Sequence, residues 1–476
     1  MRPAERRAAT LEELADRTFD LLVVGAGIVG CRVALDAASV GLSVALVDRG
    51  DIAGGTSSAS SKFVHGGFRY LGMRSFGLVR CAQLERAALL RALPGLVRPM
   101  QMIVALEKRR YPRPVVAFGV SAYRCLGGSD TRTITADAAS TLVPQLGPQP
   151  GRVLISLPEA QTDDARLTVA TARAAADRGA LVTNYVAVEG MALMRGRIAG
   201  AFVRDRLGGS DFLIRCRSVV NSSGAYVDEL RALESPGTHP IARLSKGIHL
   251  VLPLEIPWHA GVACYSDNHR TTFAVPWQGM LLVGTTDQPY GRAEAVRVEP
   301  GEELSLLEAA AQLLPPELLQ RKRIVFRFAG LRVLAAGATD TAQASREHIV
   351  QTGPAGMVSV AGGKLTLHRL IAREALARLP TEVRPRRLDP TLLPAGDDVA
   401  GPGEQIQRAI EQGWAVTVED LVRRRTNLAV RGLDDAATRA HLRELLRCAG
   451  YAQNTGVSVQ VPQTSLRASH ISPSVT

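Results

Sequence analysis

Apolar residues dominate FDLLVVGAGIVG, from Phe19 to Gly30, and their run into glycines predicts a buried strand feeding a tight turn. CRVALDAASVG then predicts a helix stopped by Gly41, and SVALVD a second strand ending at Asp48. From Phe76 to Val97, in FGLVRCAQLERAALLRALPGLV, apolar and basic residues recur at near-helical spacing, which fits a helix lying either against a core or on a membrane surface. Residues 160–180 also read as helical. DFLIRCRSVVNSSGAY closes a β-rich segment at Asn221 to Gly224. Between Ile241 and Asp287 short β-type runs alternate with turns and prolines, predicting a mostly antiparallel sheet, and MVSVAGGKLTLHRLIAREALARL returns to a strand and helix at 357–379. The stretch from Pro380 to Gly403 reads as a linker, followed by a charged helical module to about Gly450. The last residues, from Tyr451, lack helical periodicity and read as a disordered tail. No internal repeat is visible.

Composition narrows the classes of function. The 476 residues, 46% apolar and 21% charged, suffice for two or three domains. Six scattered cysteines form no CxxC pair, which argues against a disulfide framework or a thiolate metal site and fits a reducing compartment. No apolar leader and no window of about 18 uninterrupted apolar residues stands out, so the expectation is a chain neither secreted nor spanning a bilayer. The formal net charge is +12, and from Lys62 to Arg113 eleven Lys or Arg face only Glu85 and Glu107. Such a segment suits nucleic acid, anionic lipid or a phosphorylated substrate. Aromatic residues at 4% weaken the nucleic-acid option, because stacking platforms need them.

Gly25, Gly27 and Gly30 follow a strand and open a helix, with Asp48 closing the next strand. Gly25 permits the turn, Gly27 lets a pyrophosphate approach the backbone, and Gly30 lets the helix pack on the sheet, while the acid accepts from a ribose hydroxyl. This spacing marks a dinucleotide site and leaves NAD and FAD equally open.

Immediately afterwards comes GTSSASSKFVHGGFRYL, Gly55 to Leu71, which resembles the signature of the FAD-dependent, respiratory sn-glycerol-3-phosphate dehydrogenases. Further blocks fall in the same order: QTDDARL at Gln161, SKGIHLV at Ser245, FAVPWQGMLLVGTTD at Phe273, AGLR at Ala329, SREHIV at Ser345, GGKLTLHR at Gly362 and TVEDLVRRRTNL at Thr417. The resemblance covers about residues 18–447. It implies an α/β fold: a Rossmann-type FAD-binding domain of the glutathione-reductase and amino-acid-oxidase kind, an antiparallel-sheet substrate domain and a small helical C-terminal domain. The cofactor domain would be discontinuous, roughly 18–75, 150–240 and 325–379, with the substrate domain at 76–149 and 241–324.

What the resemblance implies for chemistry is oxidation of sn-glycerol 3-phosphate to dihydroxyacetone phosphate by a cytoplasmic enzyme. It would rest peripherally on the inner, anionic face of the plasma membrane and pass electrons to a quinone. Nucleic acid is not expected as a partner, and a homodimer is left open. Oxidising a secondary alcohol needs a base and a hydride acceptor, and a phosphate needs arginines. His249 is the candidate base; Arg69, Arg332 and Arg346 would hold the phosphate and the C2 oxygen; Tyr70 and Thr285 would shape the pocket. Flavin contacts would come from Thr56, Ser57, Ser61, Lys62, His65, Gly66, Gly224, Gly363, Lys364 and Leu365. Lys364 would sit at a helix start where a reduced flavin carries negative charge. His368 stands where the family more often has Tyr, and Ser222 to Tyr226 replace the usual ATGPW. Rival readings are an oxidase passing electrons to oxygen, marked by peroxide; a flavin amine oxidase, marked by amine turnover; and a basic flavoprotein binding nucleic acid, marked by salt-sensitive binding.

Overall fold

The strand Thr18–Val24 pairs in parallel on one side with Asp211–Asn221 and on the other with Val44–Val47, because helices carry the chain back between successive strands. The computed structural model describes residues 1–265, 271–294, 296–336, 348–389, 394 and 402–451. In this first sheet the order is His348–Thr352, Val358–Gly362, Asp211–Asn221, Thr18–Val24, Val44–Val47 and Leu181–Thr183. Burial on both faces follows from period-2 alternation. Leu21 and Val23 meet the helices Ile28–Ser39, Asp164–Ala176 and His368–Ala377, whereas Leu22 and Val24 meet the strands 186–205 and the N-terminal helix Pro3–Asp16.

The second sheet is largely antiparallel, as the alternation at 241–287 predicts. Its longest strand, Ala242–Pro253, pairs with Met280–Gly284 and Gln288–Tyr290 on one edge and Phe326–Ala335 on the other. Ile248, Leu250 and Leu252 bury against the helix Pro300–Ala310. Val251 packs on the opposite face, the same side as His249 in the strand's alternation. Arg152–Thr162 and the short strand Phe63–Val64 also belong to this sheet, so the cofactor and substrate segments exchange strands more often than the sequence divisions suggest. Strand alternation specifies a buried face but not which sheet supplies the neighbour. The helical module is formed by Pro402–Gln412, Val418–Asp420, a single π-turn Leu421–Arg425 and Ala436–Cys448. Residues 452–476, read as a tail, and much of the 380–403 linker lie outside the described residues.

The basic segment is less exposed than its charge count suggests. Helix Phe76–Ala92 buries Val79, Ala82, Leu89 and also Glu85 and Arg86. Arg86 donates to the Pro158 carbonyl and pairs with Glu159 at 3.4 Å, and Glu85 meets Arg369 at 3.4 Å. Core packing therefore accounts for one face of the amphipathic helix. Among the described residues no helix is long and apolar enough to cross a membrane.

His368 begins the helix that follows GGK and is buried, its Nδ1 donating to the Leu365 carbonyl at 2.7 Å. Burial, reinforced by Arg32, pushes its pKa down to about 3. An unfolded histidine binds a proton near pH ~6.5 while the folded one stays neutral, so folding stability falls as pH drops below that value, by about 1.4 kcal/mol per pH unit. Urea unfolding from about pH 6.5 downward should show a shallower loss in His368→Gln than in wild type by that slope. Coincident slopes would show that His368 does not stay neutral in the folded chain.

Candidate active site

A cavity of about 1010 Å³ runs between the two sheets, and its lining joins the glycine turn, the 55–71 loop, the strand Ala242–Pro253 of the second sheet and the GGK turn. At one end Gly25 has φ +103°, and a Cβ there would lie 2.6 Å from the Ser222 carbonyl oxygen. A Cβ on Gly30 would come within 1.9 Å of the Gly25 oxygen. The turn thus exists only with glycine at both positions, leaving the backbone open to a ligand at the helix start. Asp48 accepts from Ala26 N at 2.7 Å and Gly50 N at 2.8 Å, and burial pushes its carboxyl above the ordinary range. Ser57 Oγ accepts from Ile28 N at 3.0 Å, which ties the 55–71 loop to the turn. Gly224 lies in the same wall, near Tyr226, whose ring is capped by Arg49 at 4.2 Å. A cradle this stripped of side chains fits the pyrophosphate and adenosine of a dinucleotide.

Farther along, the loop turns its side chains toward the second sheet. Thr56 donates to the Leu331 carbonyl at 2.6 Å. Lys62 has φ +63° and is buried, its Nζ 2.6 Å from Asp164 and 2.7 Å from the Ser58 carbonyl. Although it lines the cavity, Lys62 is engaged in holding the loop. Ser61 Oγ lies 3.0 Å from His249 Nε2. Gly66 N donates to Glu159 at 2.6 Å, and a Cβ at Gly66 would strike Tyr123 Oη at 2.2 Å. Beyond it the Arg69 guanidinium stands over the Tyr70 ring at 5.2 Å, and Lys364 Nζ lies 3.6 Å from the same ring centroid. His65 is 6.1 Å from Tyr70, ring to ring.

His249 stacks on Phe328 with centroids 4.7 Å apart, and its Nδ1 is buried without a hydrogen-bond partner. Burial, then the charges of Arg332 and Lys62, hold its pKa well below the usual histidine range. The imidazole is therefore neutral near pH ~7 and can take a proton. Arg332 Nη2 donates to Thr285 Oγ1 and the Thr286 carbonyl, both at 2.9 Å, while Nη1 lies 3.5 Å from Asp287. Directly beneath is Gly247, where a Cβ would be 2.3 Å from Nη2. Gly363, with φ +96°, and Leu365 flank Lys364 at the cavity wall.

Of the site residues read from the sequence that fall within the described residues, all but Gly66 line this cavity or its glycine turn; Gly66 is held behind the wall, against Glu159 and Tyr123, and Arg346 lies outside the described residues. Several lining residues were not singled out in the sequence: Glu159, Tyr265, Phe273, Phe328 and, from the helical module, Arg423, Arg424 and Asn427. Their types are ordinary for a core or a helix surface, and only the TVEDLVRRRTNL block carried any signal for the last three.

A family profile described as FAD dependent oxidoreductase matches residues 20–375. Glycerol-3-phosphate dehydrogenase of Mycobacterium leprae is 36% identical over 80% of this chain and 67% of its own length. The aerobic glycerol-3-phosphate dehydrogenase of Staphylococcus epidermidis is 32% identical over 78% of this chain and 69% of its own. The chain thus spans about two thirds of the length of these curated relatives. Among solved structures, the glycerol-3-phosphate dehydrogenase of Bacillus halodurans complexed with FAD superposes with a TM-score of 0.72 at 25% identity, covering 96% of this chain and 99% of that one. The L-alpha-glycerophosphate oxidase of Mycoplasma pneumoniae shares the fold, with a TM-score of 0.64 at 18% identity over 81% of this chain and all of its own. By sequence and by fold, the chain belongs to the FAD-dependent oxidoreductase family and, within it, groups with the glycerol-3-phosphate dehydrogenases.

Proposed function

We propose that the chain oxidises sn-glycerol 3-phosphate to dihydroxyacetone phosphate and passes the electrons to a membrane quinone. The observation that carries this reading is a neutral, buried His249 sharing one cavity with the cations of Arg69, Arg332 and Lys364. The glycine turn and the 55–71 loop would hold FAD, which would supply the hydride acceptor. His249 takes the proton of the C2 hydroxyl, and its low basicity in the free site rises as substrate charge collects nearby. Arg332, held by Thr285, Thr286 and Asp287, and Arg69 in the same cavity would bind the phosphate or the C2 oxygen. Tyr70 contacts both Arg69 and Lys364 through its ring and so helps position those two charges.

The quinone and membrane part rests on a second feature. Helices Phe76–Ala92 and Arg113–Cys125 both pack on the turn Phe68–Leu71 and expose Phe76, Leu84, Val115 and Phe118 beside Arg80, Arg109 and Arg113. Apolar side chains rimmed by exposed cations suit the headgroup boundary of an anionic bilayer.

Four outcomes follow. Asp48→Arg should lose FAD on gel filtration, since a cation would replace the ribose acceptor; full FAD occupancy in that variant would misplace the adenosine site. Anaerobic sn-glycerol 3-phosphate should bleach the flavin of wild type. Arg332→Ala should lower kcat/KM by roughly 30-fold or more, for a lost contact of about 2 to 4 kcal/mol to a desolvated phosphate, and His249→Ala should act mainly on kcat. Near wild-type kcat/KM in Arg69→Ala and Arg332→Ala with FAD retained would remove the substrate assignment. Finally, with each surface cation contributing on the order of 1 kcal/mol, Arg80→Gln, Arg109→Gln and Arg113→Gln together should weaken binding to phosphatidylserine vesicles roughly 100-fold. Arg86 is left intact because it belongs to the core.

A further inference from the structure

The TVEDLVRRRTNL block has no place in the chemistry above, yet it reaches the cofactor end of the cavity. Its π-turn Leu421–Arg425 delivers two guanidinium groups to Asp51, three residues beyond Asp48. Arg425 binds Asp51 through both terminal nitrogens, at 2.7 and 3.0 Å, and its Nε donates to the Gly413 carbonyl at 2.7 Å. Arg424 donates to Asp51 and, at 2.7 Å, to Asp420. Asp51 and Arg425 are both buried. Other bonds run in parallel: Asn184 Nδ2 donates to Asp51 at 3.0 Å and to the Trp414 carbonyl at 2.7 Å, while Tyr185 donates its hydroxyl to Asp420 at 2.7 Å and its N–H to the Gly50 carbonyl at 2.9 Å.

The loop so gripped is also the wall of the glycine turn. Gly50 N donates to Asp48, and Ala53 N donates to the Ala26 carbonyl at 3.0 Å. Arg424, Tyr185 and Asp51 line the same cavity as Asp48 and Gly25. Were the helical module to lift away, Asp51 would be left as a buried carboxylate without its cations, a state costly enough that the loop would rearrange around it. Asp48 and Gly50 would move with it.

We infer that docking of the C-terminal helical module through Arg424, Arg425 and Asp51 is coupled to FAD binding, so that the module retains the cofactor although it contributes nothing to the chemistry. This rests on the adenosine half of FAD lying at Gly25 to Asp48. Coupling of this kind is reciprocal: whatever factor the docked module adds to FAD affinity, FAD adds to the closure of the module.

The test uses the full chain with FAD itself as the probe. In wild type stripped of cofactor, re-addition of FAD should slow amide exchange across residues 421–449, at least about fivefold, and not only in the 25–65 region. Arg425→Gln should raise the FAD dissociation constant, read from flavin fluorescence, by about tenfold, and Arg425→Lys should recover part of it. If wild type binds FAD while exchange across 421–449 is unchanged, the inference is overturned, whether or not Arg425→Gln folds. An unchanged dissociation constant in a folded Arg425→Gln overturns it equally. Failure of wild type to bind FAD would instead strike the cofactor site itself.

Discussion

The ion pair between Lys62 and Asp164 is the fastening on which the site depends. It closes at 2.6 Å in a buried position and holds Lys62 in the left-handed region, at φ +63°, where a residue with a side chain costs on the order of 1 kcal/mol or more. Asp164 opens the helix Asp164–Ala176, where backbone N–H groups favour an anion, and Ser60 donates to its other oxygen through both N–H and hydroxyl. With Lys62 fixed, Phe63 and Val64 pair with Gln161 and Ala160, and the chain passes from the first sheet to the second. His65, Arg69 and Tyr70 are aimed by that crossing. A loop otherwise made of Gly and Ser acquires one conformation from a single buried charge pair.

Electrostatically the cavity separates two tasks. Its cations are each braced: Arg332 by Thr285, Thr286 and Asp287, Arg69 by the face of Tyr70. His249, the proposed base, is kept uncharged by being buried beside them. The same positive field that would draw in a phosphate dianion suppresses protonation of His249, so on the proposed reading attraction of substrate and readiness of the base have a common cause.

The sequence made the local features legible and left the long-range ones hidden. Gly25, Gly27 and Gly30 are required by a turn that their own neighbours dictate, so the pattern suffices. His249 and Arg332 were identifiable only through the blocks around them, since a lone His among apolar residues looks like core. The charge run from Lys62 to Arg113 overstates the free charge, because Lys62 and Arg86 are buried against Asp164 and Glu159, partners far away in the chain. The N-terminal helix Pro3–Asp16 buries Leu14 alone, too faint a stripe for periodicity to reveal. Glu159, which holds Gly66 from behind, sits in an ordinary β-strand and carried no signal at all.

Gly247 deserves a last thought for what its missing side chain does. With a virtual Cβ 2.3 Å from Arg332 Nη2, the guanidinium occupies the volume that any other residue at 247 would claim. Two positions far apart in the chain therefore share one space. In evolutionary terms they are a single character: selection cannot try a larger residue at 247 without dismissing the arginine, and a lineage that loses the arginine is freed to fill the gap. The position of a charged group in the cavity can thus be redirected by a substitution that never touches a charged residue.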